Sequence, residues 1–236
     1  WDTALNGEME CLPFVHSKVP QVFREREYLD LLGYWPNSEN FQPFSNTGRV
    51  PKGPSDARRV FVLGGSQHDQ LPNKSRDFWS DFHDQVAGSE AKDSLLGRLQ
   101  KYATASDLEE IETRGFDIDV LLMDDDAGYA LPPHTDAPYK LFTFLIYCGD
   151  HVEFDGFDTV LYETDETELL GARELHHDRR KFREFDRVKY KSNSGFFFLR
   201  SDNSFHGVES VPEVKLKREL IMIAGYIGGL PTRFEF

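Results

Sequence analysis

The 236-residue chain has little cysteine and no long apolar run. Its two cysteines, Cys11 and Cys148, stand far apart. That spacing excludes a disulfide framework and a zinc-finger pattern, and a reducing compartment is the expectation. The longest apolar stretches, 141–148 (LFTFLIYC) and 220–227 (LIMIAGYI), fall far short of the ~20 residues that span a bilayer. No apolar signal segment opens the chain, so a cytoplasmic protein without a membrane partner is expected. Basic residues are also in deficit: 27 Lys and Arg against 41 Asp and Glu leave a net charge of −14. Such a surface repels phosphate backbones, and a nucleic-acid partner is not expected. Two further chemistries lack their motifs. Gly64-Gly65-Ser66 follows an apolar run but has none of the rest of a phosphate loop, and neither a nucleophile elbow nor a Cys/His catalytic arrangement occurs.

Aromatic residues, by contrast, make up 14%, with 20 Phe, which is incompatible with a disordered chain. The length suits a single domain, residues 1–236, with a wrapping segment and helices over 1–115 and a core over 116–236. Seven of the 12 prolines occur by Pro72. The Pro-, Asn- and Gly-rich stretch 35–57 reads as an ordered wrapping segment whose Phe41 and Phe44 dock on the core. Three helices are expected next. The first is capped by Ser75, with Phe78, Trp79, Phe82 and Val86 on one face, and is broken at Gly88. The second holds Leu95, Leu96, Leu99 and Tyr102. The third starts at Ser106, which with Glu109 fits a capping box, and ends at Gly115.

From Phe116 the pattern changes to strands: 118–123, 141–148, 159–162, 185–191, 195–199, 205–211 and 220–226. No helix of useful length separates the later ones, so a parallel sheet is excluded. The fold class expected is α+β, mostly β, an antiparallel jelly roll buttressed by the N-terminal helices. The charged stretch 163–187 reads as a solvated excursion, and Asp124-Asp125-Asp126 as a solvated acidic turn.

Metal-binding chemistry needs imidazoles and carboxylates that converge, and His-x-Asp/Glu places both on one strand face. Three such pairs occur: His134/Asp136, His151/Glu153 and His176/Asp178. The last sits among Arg179, Arg180 and Lys181, whose charge opposes a metal, and the second lies in a polar turn. His134/Asp136 is held between prolines 132, 133 and 138 just before an apolar strand, where a carboxylate needs a partner. His206, in a distant strand, is the candidate third ligand. Arg218 opens the final strand and is either a solvent-exposed cap or an anion receptor. Thr143, Leu145 and Tyr147 share one face of their strand. Arg218, Leu220 and Met222 share a face of theirs, opposite Lys217, Glu219 and Ile221. Tyr129 reads as a core aromatic.

The order His134-x-Asp136, His206, Arg218 resembles the iron(II)- and 2-oxoglutarate-dependent dioxygenases. HTDAPYKLFTFLIYC and NSFHGVESV resemble the ligand segments of their prolyl-hydroxylase-like branch, over residues 116–227. The resemblance implies a double-stranded β-helix, with His134, Asp136 and His206 as the iron ligands. It implies Arg218, Tyr147 and Thr143 as residues of the 2-oxoglutarate pocket. It also implies O2 as oxidant, ascorbate as a helpful additive in vitro, and hydroxylation of an unactivated C–H bond in a small molecule or protein side chain, by a monomer or homodimer. This sequence departs from the pattern in a longer gap between His206 and Arg218. Leu220 stands where many members carry a serine, and Lys215 and Lys217 are rival cations. A jelly-roll binding module with a structural metal is the alternative reading.

Overall fold

The computed structural model describes residues 8–47, 57–149, 155–171, 177–212 and 216–230. Expectations that fall on His151, Glu153, His176 and Lys215 lie outside them. Two antiparallel sheets dominate. The larger has the order β1 (His16–Val19), β9 (Gly195–Leu199), β6 (Lys140–Tyr147), β11 (Arg218–Ile227), β4 (Phe116–Asp125), β3 (Arg58–Val62), β2 (Gln42–Pro43). The smaller has the order β5 (Leu131–His134), β10 (His206–Val208), β7 (Thr159–Glu163), β8 (Arg183–Val188). From β4 onward the chain steps between the sheets, with β4, β6, β9 and β11 in the large one and β5, β7, β8 and β10 in the small one.

Period-two alternation sorts the side chains into two layers. Val120, Leu122, Phe142, Phe144, Phe197, Ile221 and Ile223 face the helices and form one core with Trp79, Leu95 and Leu99. Leu121, Met123, Tyr147, Phe196, Phe198, Leu220 and Met222 face the smaller sheet and pack with Leu161, Val188 and Val208. Each fully buried aromatic or aliphatic side chain is worth about 1.5–3 kcal/mol against exposure, so the phenylalanine-rich strands hold the layers together. Arg218, at the start of β11, shares a face with Leu220 and Met222 as the strand period gives, and packing, which the period left open, makes that face the inter-sheet one.

The helices start earlier than their sequence signals suggested. The first of the expected three, α2 (Asn73–Ala87), begins after Pro72, so Ser75 lies inside it and does not cap it. Its Trp79 is fully buried and donates its indole N–H to the Tyr34 carbonyl at 2.8 Å. Next comes α3 (Ser89–Leu99), and Tyr102 lies beyond its end. The capping box of α4 (Ala105–Arg114) is Thr104 with Asp107, not Ser106 with Glu109. Thr104 is the residue with extended backbone that can aim its hydroxyl at the first turn. A further helix, α1 (Glu25–Gly33), had no sequence signal strong enough to be expected, because it is short and buries only Tyr28 and Leu31, with Leu29 left exposed. The charged stretch is also corrected in part: the strand expected from 185 starts at Arg183 as β8 and pairs with β7, and Leu169 and Phe182 are buried. Phe41 is buried, and Phe44 packs partly against the core.

The acidic triple is a correction with consequences for the site. Asp124 and Asp125 lie within β4 and are 1% and 0% exposed. A charge buried this way requires partners. Asp124 has Lys217 Nζ at 3.1 Å; Asp125, on the opposite face, has two guanidinium groups. Among the described residues no helix is long and apolar enough to cross a membrane.

Candidate active site

His134 ends β5 and His206 begins β10, and the antiparallel register sets them directly opposite each other. Their ring centroids are 4.3 Å apart. Such closeness requires the two strands to approach tightly, and Gly207 permits it: a Cβ there would lie 2.4 Å from the Leu131 carbonyl oxygen. Gly207→Ala is therefore expected to wedge β5 from β10 and weaken Mn(II) or Co(II) binding roughly 10- to 100-fold, measured by titration calorimetry. A variant with wild-type metal affinity would show that this register is not needed.

The imidazole orientations follow from their acceptors. His134 Nδ1 is 3.1 Å from the Pro132 carbonyl, and His206 Nδ1 is 3.0 Å from the Ser204 carbonyl. A carbonyl only accepts, so each Nδ1 carries the proton and each Nε2 carries the lone pair. Asp136 completes the set: His134, Asp136 and His206 each offer a ligand atom within 4.8 Å of the others. Two neutral imidazoles and one carboxylate on one side of an ion suit iron(II), manganese or cobalt.

Asp136 is held from behind. Lys140 Nζ donates to its Oδ1 at 3.0 Å and the Thr143 hydroxyl to its Oδ2 at 2.6 Å. A carboxylate has about four lone-pair directions, so both oxygens retain capacity for a ligand. Burial alone would raise the Asp136 pKa. The Lys140 ammonium, the two imidazoles and the Thr143 hydrogen bond outweigh it and hold the group far below the usual carboxylate range. For His206 burial prevails over the attraction of Asp136 and lowers its pKa, which favours the neutral, ligating ring.

A second polar cluster lies between the sheets. Arg218 is fully buried and donates Nε to the Phe157 carbonyl at 2.6 Å, Nη1 to Asp125 at 2.9 Å and Nη2 to Thr159 Oγ1 at 2.9 Å. The Tyr147 hydroxyl also donates to Thr159 Oγ1, at 2.7 Å. Thr159 thus accepts twice, and its own O–H remains to donate. Arg58 grips Asp125 from the other side through Nε at 2.6 Å and Nη2 at 2.7 Å. One face of β6 touches both clusters, through Thr143 at Asp136 and Tyr147 at Thr159. Lys217 is engaged by Asp124 and Asp126. Tyr129 is buried, and the Arg58 guanidinium lies 4.3 Å from its ring centroid.

The six site residues singled out from sequence thus fall into these two clusters. Four others had been missed: Lys140, Thr159, Asp125 and Arg58. A signal existed for Asp125, which shares the strand period of Leu121 and Met123 and so points inward. Asp178, from the rejected pairs, caps a short turn and binds Arg180.

No protein-family model matches the chain, and no curated protein matches it in sequence. Solved structures do match in fold. An oxidoreductase of the 2OG-Fe(II) oxygenase family from Burkholderia pseudomallei is 14% identical, over 93% of this chain and 88% of that one, with a TM-score of 0.50. A prolyl-4-hydroxylase from Pseudomonas putida is 12% identical, over 94% and 93%, also with a TM-score of 0.50. The chain shares their fold.

Proposed function

We propose that this protein is an iron(II)- and 2-oxoglutarate-dependent dioxygenase, built on a double-stranded β-helix, that hydroxylates an unactivated C–H bond. The observation that carries the reading is the convergence of His134, Asp136 and His206 on one point. A buried cationic cluster at Arg218, joined to that point by one strand face, supports it. Bound iron(II) supplies the chemistry that couples oxidative decarboxylation of 2-oxoglutarate to oxidation of the substrate.

The chain's own residues have distinct tasks in this reading. The Nε2 atoms of His134 and His206 and one Asp136 oxygen would hold the metal, three protein ligands in all. Lys140 and Thr143 fix the Asp136 carboxylate so that its charge stays in place. Arg218, with the Thr159 hydroxyl, receives the distal carboxylate of 2-oxoglutarate, and Tyr147 orients Thr159. The Phe198 ring, 4.5 Å from that of His206, shields the metal position from water. The substrate is a small molecule or a protein side chain.

The test is release of succinate from 2-oxoglutarate on addition of Fe(II) and ascorbate. Slow turnover is expected even without substrate, and a screen of metabolites and peptides should find one that accelerates it. No 2-oxoglutarate consumption under any of these conditions would point instead to a jelly-roll binding module with a structural metal.

A further inference from the structure

We infer that Arg58 is a specificity-determining residue of the co-substrate pocket, because it supplies the charge that lets Arg218 select a dicarboxylate. This inference rests on the proposed oxygenase reading and adds to it a residue from outside the β4–β11 core. Arg218 on its own cannot attract a carboxylate strongly, since Asp125 already sits against it at 2.9 Å. A buried Arg–Asp pair is nearly neutral to a third charge. The register puts Arg218, Asp125 and Arg58 opposite one another on β11, β4 and β3, so the row is Arg–Asp–Arg.

Two positive groups and one negative leave a single positive charge in a volume where these side chains are 1%, 0% and 11% exposed. Among the described residues Asp125 is the one carboxylate bonded to either guanidinium. Asp158, close by on the approach to β7, is already bound by Lys189 at 3.2 Å and by the Tyr190 N–H at 2.8 Å. An uncompensated buried cation is costly, and an anion of one charge relieves it. The bidentate grip of Arg58 turns Asp125 away from full neutralisation of Arg218, and the Tyr129 ring holds the Arg58 guanidinium in that pose. The charge is therefore made by the fold and does not belong to Arg218 alone.

Calorimetric titration of the Mn(II)-loaded chain tests this, since manganese holds the keto acid without turnover. The ligands are 2-oxoglutarate and 2-oxopentanoate, which keeps the five-carbon keto acid but ends in a methyl group. Wild type should prefer 2-oxoglutarate by roughly a hundredfold, the value of one charge-assisted contact. Arg58→Gln should lose roughly tenfold or more of that preference. The double variant Arg58→Gln, Asp125→Asn removes both partners, returns the pocket to one positive charge and should recover the preference to within about threefold of wild type. A merely structural role for Arg58 gives no such rescue: a double variant as unselective as the single one overturns the inference, as does an Arg58→Gln variant that selects like wild type. If the single variant does not fold, the double variant decides alone by the same criterion. A wild-type chain that does not distinguish the two acids overturns the oxygenase reading itself, and the inference with it.

Discussion

His206→Ala is expected to abolish Fe(II)-dependent consumption of 2-oxoglutarate, a loss of at least about a thousandfold, while the chain still folds. The ring is 6% exposed and makes one backbone hydrogen bond through Nδ1, so its removal opens a small cavity beside Phe198. Such a cavity costs roughly 1–3 kcal/mol, which lowers the melting temperature without unfolding the chain. The chemical loss is of another order, because two ligands do not hold the ion in a fixed position. His134→Ala should behave likewise with a smaller stability change, since His134 is half-buried at a strand end. Asp136→Gly should fold and lose hydroxylation. Metal titration beside a succinate assay separates the two effects. Either histidine variant with unchanged turnover would remove the metal centre from this site.

The second large effect is expected at Arg218. Arg218→Ala should raise the Michaelis constant for 2-oxoglutarate roughly a hundredfold, which corresponds to about 3 kcal/mol for a lost buried charge-assisted contact. It also removes the guanidinium hydrogen bonds to the Phe157 carbonyl and to Thr159, which keeps the Tyr147 hydroxyl as a donor, and it leaves Asp125 with Arg58 alone, so thermal stability should fall. Arg218→Lys restores a charge but not the fork that reaches three partners at once, and should recover only part of the affinity. Lys217→Ala is the control: its ammonium is occupied by Asp124, so the Michaelis constant should hold while stability drops. A large rise with Lys217→Ala and none with Arg218→Ala would reassign the anion receptor and leave the metal ligands standing.

Strand period and residue chemistry explain which parts of this architecture were legible from sequence. Alternation grouped Thr143 with Tyr147 and Arg218 with Met222, but apolar residues on both sides of β11 left its inward face to be fixed by packing against the smaller sheet. His134 and His206 followed from spacing and from the apolar strands beside them. What stayed hidden depends on contacts across strands. Lys140 reads as a polar strand start until its ammonium is seen folded back onto Asp136. Asp125 reads as the middle of a solvated acidic turn, because nothing local announces two arginines waiting on either neighbouring strand. Thr159 is an ordinary β-former until Arg218 and Tyr147 both donate to it. The first and third helix starts were placed three and two residues late, since several Ser and Thr compete as caps and backbone geometry at Pro72 and Thr104 decides.

The position of β11 has a consequence for how the molecule is made. It is the last strand in the sequence among the described residues, yet it lies in the interior of the larger sheet, bonded to β4 on one side and β6 on the other. Until it is available, those two apolar strands present unpaired edges, the kind of surface that templates association between chains. A chain truncated before Arg218 is therefore expected to associate more readily than the full chain, which light scattering of the two would show.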